Sequence, residues 1–167
     1  MTPKYHERIA LYPGTFDPFT IGHMSIIDRG LELFDRIIVA VGINDSKRCY
    51  RPTPERVEHI KSVLRDKPRV EVTSYDGLTV DVAREHGAHF ILRGVRTVAD
   101  YEYERNLAYA NRRISGIETV LLYTLPELQY VSSTMVRDLD RCGYDISPFV
   151  PQAPAIEQSD RETHYNK

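Results

Sequence analysis

Two hydrophobic periods alternate along this chain, and no other feature restricts its fold as much. Short apolar runs rich in β-branched and aromatic residues stand at 8–12, 36–43, 70–74, 90–92 and 119–123. Between them, apolar residues recur every three or four positions, as in Met24, Ile27, Leu31 and Phe34, or Val57, Ile60 and Leu64. The first pattern suits strands and the second amphipathic helices. The run at 36–43 is unbroken, the mark of a strand buried on both faces. Further helices are predicted at 78–85 and 98–113. Thr53-Pro54 reads as an N-cap followed by proline at the first helical position, and Ser132 or Ser133 as the cap of a last helix reaching Leu139. Strand and helix thus alternate five times. That predicts an α/β fold, an open five-stranded parallel sheet with helices on both faces.

The chain has 167 residues, a length suited to one domain, and no repeat or linker divides it. Residues 1–150 are read as that domain. From Pro151 the chain turns polar, with a second proline at 154, so 151–167 is read as a tail, poorly ordered or weakly helical. The formal charge of −2 lacks the basic excess that non-specific nucleic-acid binding needs, and no nucleic-acid partner is expected. The longest apolar run, 37–43, is far too short to span a membrane, and the polar start at 1–8 is not a secretory signal. Cys49 and Cys142 match no metal-ligand spacing and read as reduced thiols. A cytoplasmic protein without a membrane partner is expected.

In an open parallel sheet, ligands bind beyond the carboxyl ends of the strands. The loop after the first strand reads Tyr12-Pro13-Gly14-Thr15-Phe16-Asp17-Pro18-Phe19-Thr20-Ile21-Gly22-His23. Pro13-Gly14 turns the chain, and Gly22-His23 opens a helix whose exposed N–H groups and dipole favour a phosphate. The loop after the second strand carries Ser46-Lys47-Arg48, and the fourth strand is read as closing at Arg93-Gly94, followed by Val95-Arg96. Arginine brings forked, permanently charged donors, suited to a polyphosphate unless nearby acids such as Asp100 and Glu104 claim them. After the fifth strand, Ser132-Ser133-Thr134 offers hydroxyls and N–H groups at a helix start. Four of five candidate loops therefore carry anion-binding groups, and together they predict a cleft for a polyphosphate nucleotide. No nucleophilic triad stands out, which favours direct group transfer by positioning and charge neutralisation.

These strings carry a family resemblance. Thr20-x-Gly22-His23 with Ser132-Ser133-Thr134 resembles the T/HxGH nucleotidyltransferase superfamily, whose fold is Rossmann-like. The fuller strings, with Ser46-Lys47 and the block from Arg93 to Glu104, resemble bacterial phosphopantetheine adenylyltransferases. The resemblance implies transfer of adenylyl from ATP to 4′-phosphopantetheine, giving dephospho-coenzyme A and pyrophosphate by direct in-line attack with Mg²⁺ as cofactor, and a homo-hexamer built as a dimer of trimers. It implies catalytic roles for His23, Lys47 and Arg96. Thr15, Phe16, His23, Gly94, Val95, Arg96, Glu104, Leu128, Gln129, Tyr130, Val131, Ser132, Ser133 and Thr134 would contact ATP. Thr15, Lys47, Leu78, Thr79, Arg93, Leu107 and Asn111 would hold phosphopantetheine. Leu128 stands where some relatives carry Trp. The alternatives are a sister nucleotidyltransferase with another phosphate acceptor, separated from this reading by the Arg93 to Glu104 block, and a non-catalytic nucleotide-binding sensor. A helix start lowers a histidine's pKa and two anionic substrates raise it, so His23 is expected to be neutral alone and charged with substrates bound.

Overall fold

The computed structural model describes residues 6–43 and 49–155. Its elements run β1 (Ile9–Gly14), α1 (Ile21–Gly30), β2 (Arg36–Gly42), α2 (Thr53–Val63), β3 (Val70–Tyr75), α3 (Thr79–Glu85), β4 (Phe90–Val95), α4 (Val98–Ser115), β5 (Glu118–Tyr123) and α5 (Ser133–Arg141), with one turn of 3₁₀ helix at Pro126–Leu128. The five strands are parallel in the order β3-β2-β1-β4-β5. The sequence reversal therefore falls between β1 and β4, the position where open α/β sheets bind ligands.

The pleat explains the two-sided burial. Ala10 and Tyr12 of β1, with Ile37, Val39 and Val41 of β2, pack on Ile26 and Ile27 of α1 and Ile60 and Val63 of α2. The intervening residues Ile9, Leu11, Ile38 and Ala40 face the other way, onto Val80, Val82 and Ala83 of α3. Successive side chains leave opposite faces of a strand, so both must be apolar where both faces are covered.

Four local readings shift. Pro13 and Gly14 lie within β1, paired with Ala40 and Val41 of β2, rather than turning the chain. Pro52, not Thr53, is the N-cap of α2; Thr53 is its first residue and makes no cap. Its hydroxyl instead accepts from the Arg56 guanidinium. Helix α1 stops at Gly30, before Leu31 and Phe34, with Leu31 as its C-cap. Arg93 and Gly94 lie within β4, paired with Leu121 and Leu122 of β5, rather than closing the strand. Ser132 does cap α5, accepting from Met135 N at 3.1 Å. Residues 151–155 contain no helix or strand, and residues 156–167 of the expected tail lie outside the described residues.

At Gly30, a Cβ would stand 2.8 Å from both Ile37 Cδ1 and Leu92 Cδ2, neither of which has solvent to retreat into. Gly30→Ala is expected to lower the unfolding free energy by about 1–3 kcal/mol, the usual cost of overpacking. Urea denaturation would measure it, and an unchanged midpoint would contradict the close approach of α1 to the sheet.

Candidate active site

Strands β1 and β4 are paired at Ala10↔Phe90 and Leu11↔Ile91, after which they part. Beyond that point β1 follows β2 as far as Gly14 and β4 follows β5 as far as Val95. The gap opens into a cleft of about 580 Å³. Its walls include Thr15, Phe16, Asp17, Gly22 and His23 from the first loop and α1, Arg93 and Gly94 from β4 and Arg96 just after it, and Val131 to Thr134 and Arg137 around the start of α5. A second hollow of about 340 Å³ adjoins it, shares Pro13, Gly14, Thr15 and Arg93, and extends to Tyr75 and Thr79.

His23 is fixed from both ends. Thr20 caps α1, and the two residues form a reciprocal box: the His23 N–H reaches Thr20 Oγ1 at 3.4 Å, while the Thr20 N–H donates to His23 Nδ1 at 3.0 Å. A backbone N–H can only donate, so Nδ1 is the acceptor nitrogen and the ring proton sits on Nε2. Phe19 stacks on the ring at 5.5 Å, and Phe16 meets it edge-on at 5.0 Å. Burial, followed by the nearby charges of Arg96 and Arg93, holds the His23 pKa down at about 3. Burial is thus the largest cause, ahead of any effect of the helix start.

The arginines and acids of the cleft are matched. Glu104 of α4 is buried and grips Arg93 with both carboxylate oxygens, Oε2 taking Nε at 2.8 Å and Oε1 taking Nη2 at 2.5 Å. Arg93 Nη1 donates across the split to the Pro13 carbonyl. Burial works against the Arg93 charge, but the Glu104 hydrogen bonds and charge outweigh it and raise its pKa. Arg96 pairs with Asp100 at 3.4 Å. So the acids do claim Arg93 and Arg96, and both arginines still line the cleft. Arg137 is different: it donates to the Asp17 carbonyl at 2.6 Å and to Thr134 Oγ1 at 3.1 Å, and among the described residues it has no carboxylate partner. Near the starts of α1 and α5, the N–H groups of Gly22, Ser133 and Thr134 have no acceptor among the described residues, and all three residues line the cleft. Two helix N-termini thus converge on one hollow already lined by arginine, an arrangement made for an extended anion.

The expected site residues fall into three groups. Thr15, Phe16, His23, Arg93, Gly94, Arg96, Glu104, Val131, Ser132, Ser133 and Thr134 meet at the cleft, and Thr79 lines the second hollow. Val95 is buried, Leu128, Gln129 and Tyr130 stand outside the cleft walls, and Leu78, Leu107 and Asn111 border neither hollow. Gln129 instead holds the Arg96 carbonyl at 2.7 Å. Lys47 lies outside the described residues. Sequence reasoning missed Arg141 in the wall and assigned nothing to Arg137, Asp17 or Arg56. The buried Asp17 carboxylate accepts from Tyr50 N at 2.7 Å and Arg51 N at 2.9 Å, which fastens the chain after β2 to the first loop. Arg56 had a signal: it stands one turn before Ile60, on the stripe α2 buries.

Glu104→Gln would leave Arg93 without its counter-charge. Removing one partner of a fully buried pair costs about 3–5 kcal/mol. The Arg93 side chain is 27% exposed, so the loss is expected to be nearer ~2 kcal/mol. Thermal unfolding would register it, and a parental midpoint would show that the pair contributes nothing to stability.

Known proteins agree with this architecture. A family model described as cytidylyltransferase-like matches residues 11–139. The chain is 51% identical to the phosphopantetheine adenylyltransferase of Phocaeicola vulgatus over 90% of its own length and 99% of that protein's. It is 52% identical to the enzyme of the same name from Bacteroides thetaiotaomicron, over 89% of this chain and 99% of that one. A solved bifunctional NMN adenylyltransferase/ADP ribose pyrophosphatase from Francisella tularensis shares the fold, with a TM-score of 0.63 at 14% identity, over 85% of this chain and 45% of that one. With half its residues shared along nearly the full length of those relatives, the chain belongs to the phosphopantetheine adenylyltransferase family.

Proposed function

We propose that the protein transfers an adenylyl group from ATP to 4′-phosphopantetheine, releasing pyrophosphate and dephospho-coenzyme A. The observation that carries this reading is the convergence of His23, Arg93, Arg96 and two helix N-termini on the cleft between β1 and β4. A phosphate oxygen of the acceptor attacks the α-phosphorus of ATP in line, and the bond from that phosphorus to the pyrophosphate oxygen breaks. Nothing on the protein is made covalent. The work left to it is placement and charge neutralisation. Neutral His23 donates from Nε2 to an oxygen of the transferring phosphate. Arg96, Arg137 and the N–H groups starting α5 take the triphosphate. Arg93, facing both hollows, holds the acceptor phosphate together with Thr15 and, outside the described residues, Lys47. The second hollow, with Thr79, accommodates the pantetheine arm.

Mg²⁺ fits as a companion of ATP. Among the described residues no three metal-binding side chains cluster, and Asp17, Asp100 and Glu104 are each engaged by N–H groups or arginine. Bound with ATP, the ion would supply charge neutralisation at the phosphates.

A homo-hexamer is supported by α4. Of its 18 residues only Glu104 is buried, while Val98, Tyr101, Tyr103, Leu107, Tyr109 and Ile114 lie exposed. At 100° per residue they fall on two sides of the helix, Val98, Tyr101 and Tyr109 on one and Tyr103, Leu107 and Ile114 on the other, and such exposed apolar surface suits burial against further copies. A cytoplasmic setting and a small-molecule rather than nucleic-acid partner belong to the same reading. Among the described residues no helix is long and apolar enough to cross a membrane.

The test is a coupled pyrophosphate assay with ATP, Mg²⁺ and 4′-phosphopantetheine, run beside nicotinate mononucleotide and glycerol 3-phosphate. Turnover with phosphopantetheine alone, with dephospho-coenzyme A in the mass spectrum, is expected. Turnover only with another acceptor would overturn the acceptor assignment, and ATP binding without turnover would favour a sensor. In the same assay His23→Ala should lower kcat by roughly 10²–10³, the cost of losing one donor to developing charge, and leave ATP affinity nearly unchanged. A loss confined to affinity would make His23 a binding residue only.

The histidine also predicts a pH dependence. Below pH 6.5 an unfolded chain takes up a proton at His23, and the folded protein, with its pKa near 3, does not. The stability linked to His23 is thus complete above pH 6.5 and falls as pH drops toward 3. His59, also lowered by burial and Arg51, acts in the same direction. Between pH 6.5 and 4, the unfolding midpoint of His23→Gln should fall less steeply than that of the parent. Equal slopes would mean that the folded ring takes up the proton.

A further inference from the structure

Arg56 is 2% exposed and stands behind the cleft wall rather than in it. A buried charge is costly unless its donors are used, and Arg56 spends them on three converging segments. Nε donates to the Arg51 carbonyl at 3.1 Å. Nη1 donates to the Gly42 carbonyl at 3.2 Å and to the Thr15 carbonyl. Nη2 donates to Thr53 Oγ1 at 2.6 Å, with Cys49 Sγ at 3.8 Å. The Arg51 peptide is held from its other side as well, since its N–H belongs to Asp17. The guanidinium is therefore anchored in a frame that reaches the cleft at the Thr15 carbonyl, with Cys49 of the cleft wall at its edge.

A trans peptide is planar, with its C=O and N–H directed oppositely. Holding the Thr15 oxygen toward α2 turns the Phe16 N–H to the opposite side, where Thr15 and Phe16 line the cleft. Phe16 is also kept at φ 49°, a left-handed conformation rare for an aromatic residue. Its ring is wedged among Tyr12, Phe19 and His23. Among the described residues nothing accepts from its N–H.

We propose that Arg56 is a positioning residue for adenylyl transfer: from behind the wall it fixes the Thr15–Phe16 peptide so that the Phe16 N–H is presented to a phosphate of ATP. The inference rests on the nucleotide reading of the cleft but not on the identity of the acceptor.

Two measurements on the full chain test it. The first is amide hydrogen exchange at single-residue resolution, with Mg²⁺ and an ATP analogue that cannot transfer its α-phosphate. In the parent, the Phe16 amide should slow by about tenfold or more on nucleotide binding, as a newly hydrogen-bonded amide does. In Arg56→Lys, which keeps the charge but loses the fork, that slowing should largely vanish. The second is kinetic. Arg56→Lys should lower kcat by about tenfold or more while KM for phosphopantetheine stays within about twofold. Thr53→Ala, which removes a different acceptor of Arg56, is the stability control and should keep kcat within about threefold of the parent. The proposal falls if Phe16 exchange in the parent ignores the nucleotide, if Arg56→Lys turns over like the parent, or if Thr53→Ala loses as much kcat as Arg56→Lys. Should Arg56→Lys not fold, Phe16 exchange in the parent that ignores the nucleotide still overturns the proposal. That exchange needs no phosphopantetheine, so a wrong acceptor and a wrong role for Arg56 give different results.

Discussion

The parting of β1 from β4 is the constraint on which the rest of the molecule depends. Two parallel strands that run in opposite sequence directions from the middle of the sheet send their following helices to opposite faces, and nothing fills the space between. Here the strands separate after Leu11 and Ile91, and the exposed edges would each leave backbone groups without a sheet partner. Arg93 crosses part of that gap by donating to the Pro13 carbonyl, and Glu104 from α4 keeps the guanidinium in place. One ion pair thus ties β4, the end of β1 and α4 together at the mouth of the cleft. It can do so because a guanidinium offers donors in several directions at once.

Charge in the cleft follows the same economy of geometry. A ring of unmatched cations would repel itself and would be solvated by water that ATP then had to displace. Pairing Arg93 with Glu104 and Arg96 with Asp100 removes that repulsion and aims the guanidinium groups. The unmatched positive charge left over for an anion comes from Arg137 and from the N–H groups at the starts of α1 and α5, which carry partial charge and cost no reorganisation, while the paired Arg93 and Arg96 still line the cleft with N–H donors. The histidine completes this set as a neutral donor. Protonating Nδ1 would set two donors against each other at the Thr20 N–H, so the capping box and the ring's tautomer are one structural fact. That works against the expectation of a charged ring in the substrate complex.

Much of the site was legible in the primary structure, and the limits of that legibility are physical. The T-x-G-H string and the serine-rich start of α5 could be read because a phosphate site built from helix N-termini needs local residues at a local spacing. Thr20, His23 and Ser132 each act within three or four positions of themselves. Asp17 could not be read this way, and Arg56 only in part: its place on the buried stripe of α2 has a local signal, but its partners Thr15 and Gly42 lie in segments brought together by the sheet, and no spacing rule connects them. The same applies to Arg93 and Glu104, eleven positions apart, where the pairing with an acid and the exposure to the cleft were weighed as rivals and turned out to coexist.

The sequence by itself determined the class of fold, the order of its elements and the loops that carry chemistry. Those follow from hydrophobic periods of two and 3.6 residues, from caps, and from turn residues, all of which act over a few positions. Only the tertiary structure decided the strand order β3-β2-β1-β4-β5 and hence the place of the cleft. It decided too that Arg93 belongs inside β4, that α1 ends at Gly30 where the helix touches the sheet, and that a buried arginine on α2 holds the wall of a site it does not enter. These are contacts between segments far apart in the chain, fixed by the way two faces of one sheet are filled, and a local pattern carries no record of them.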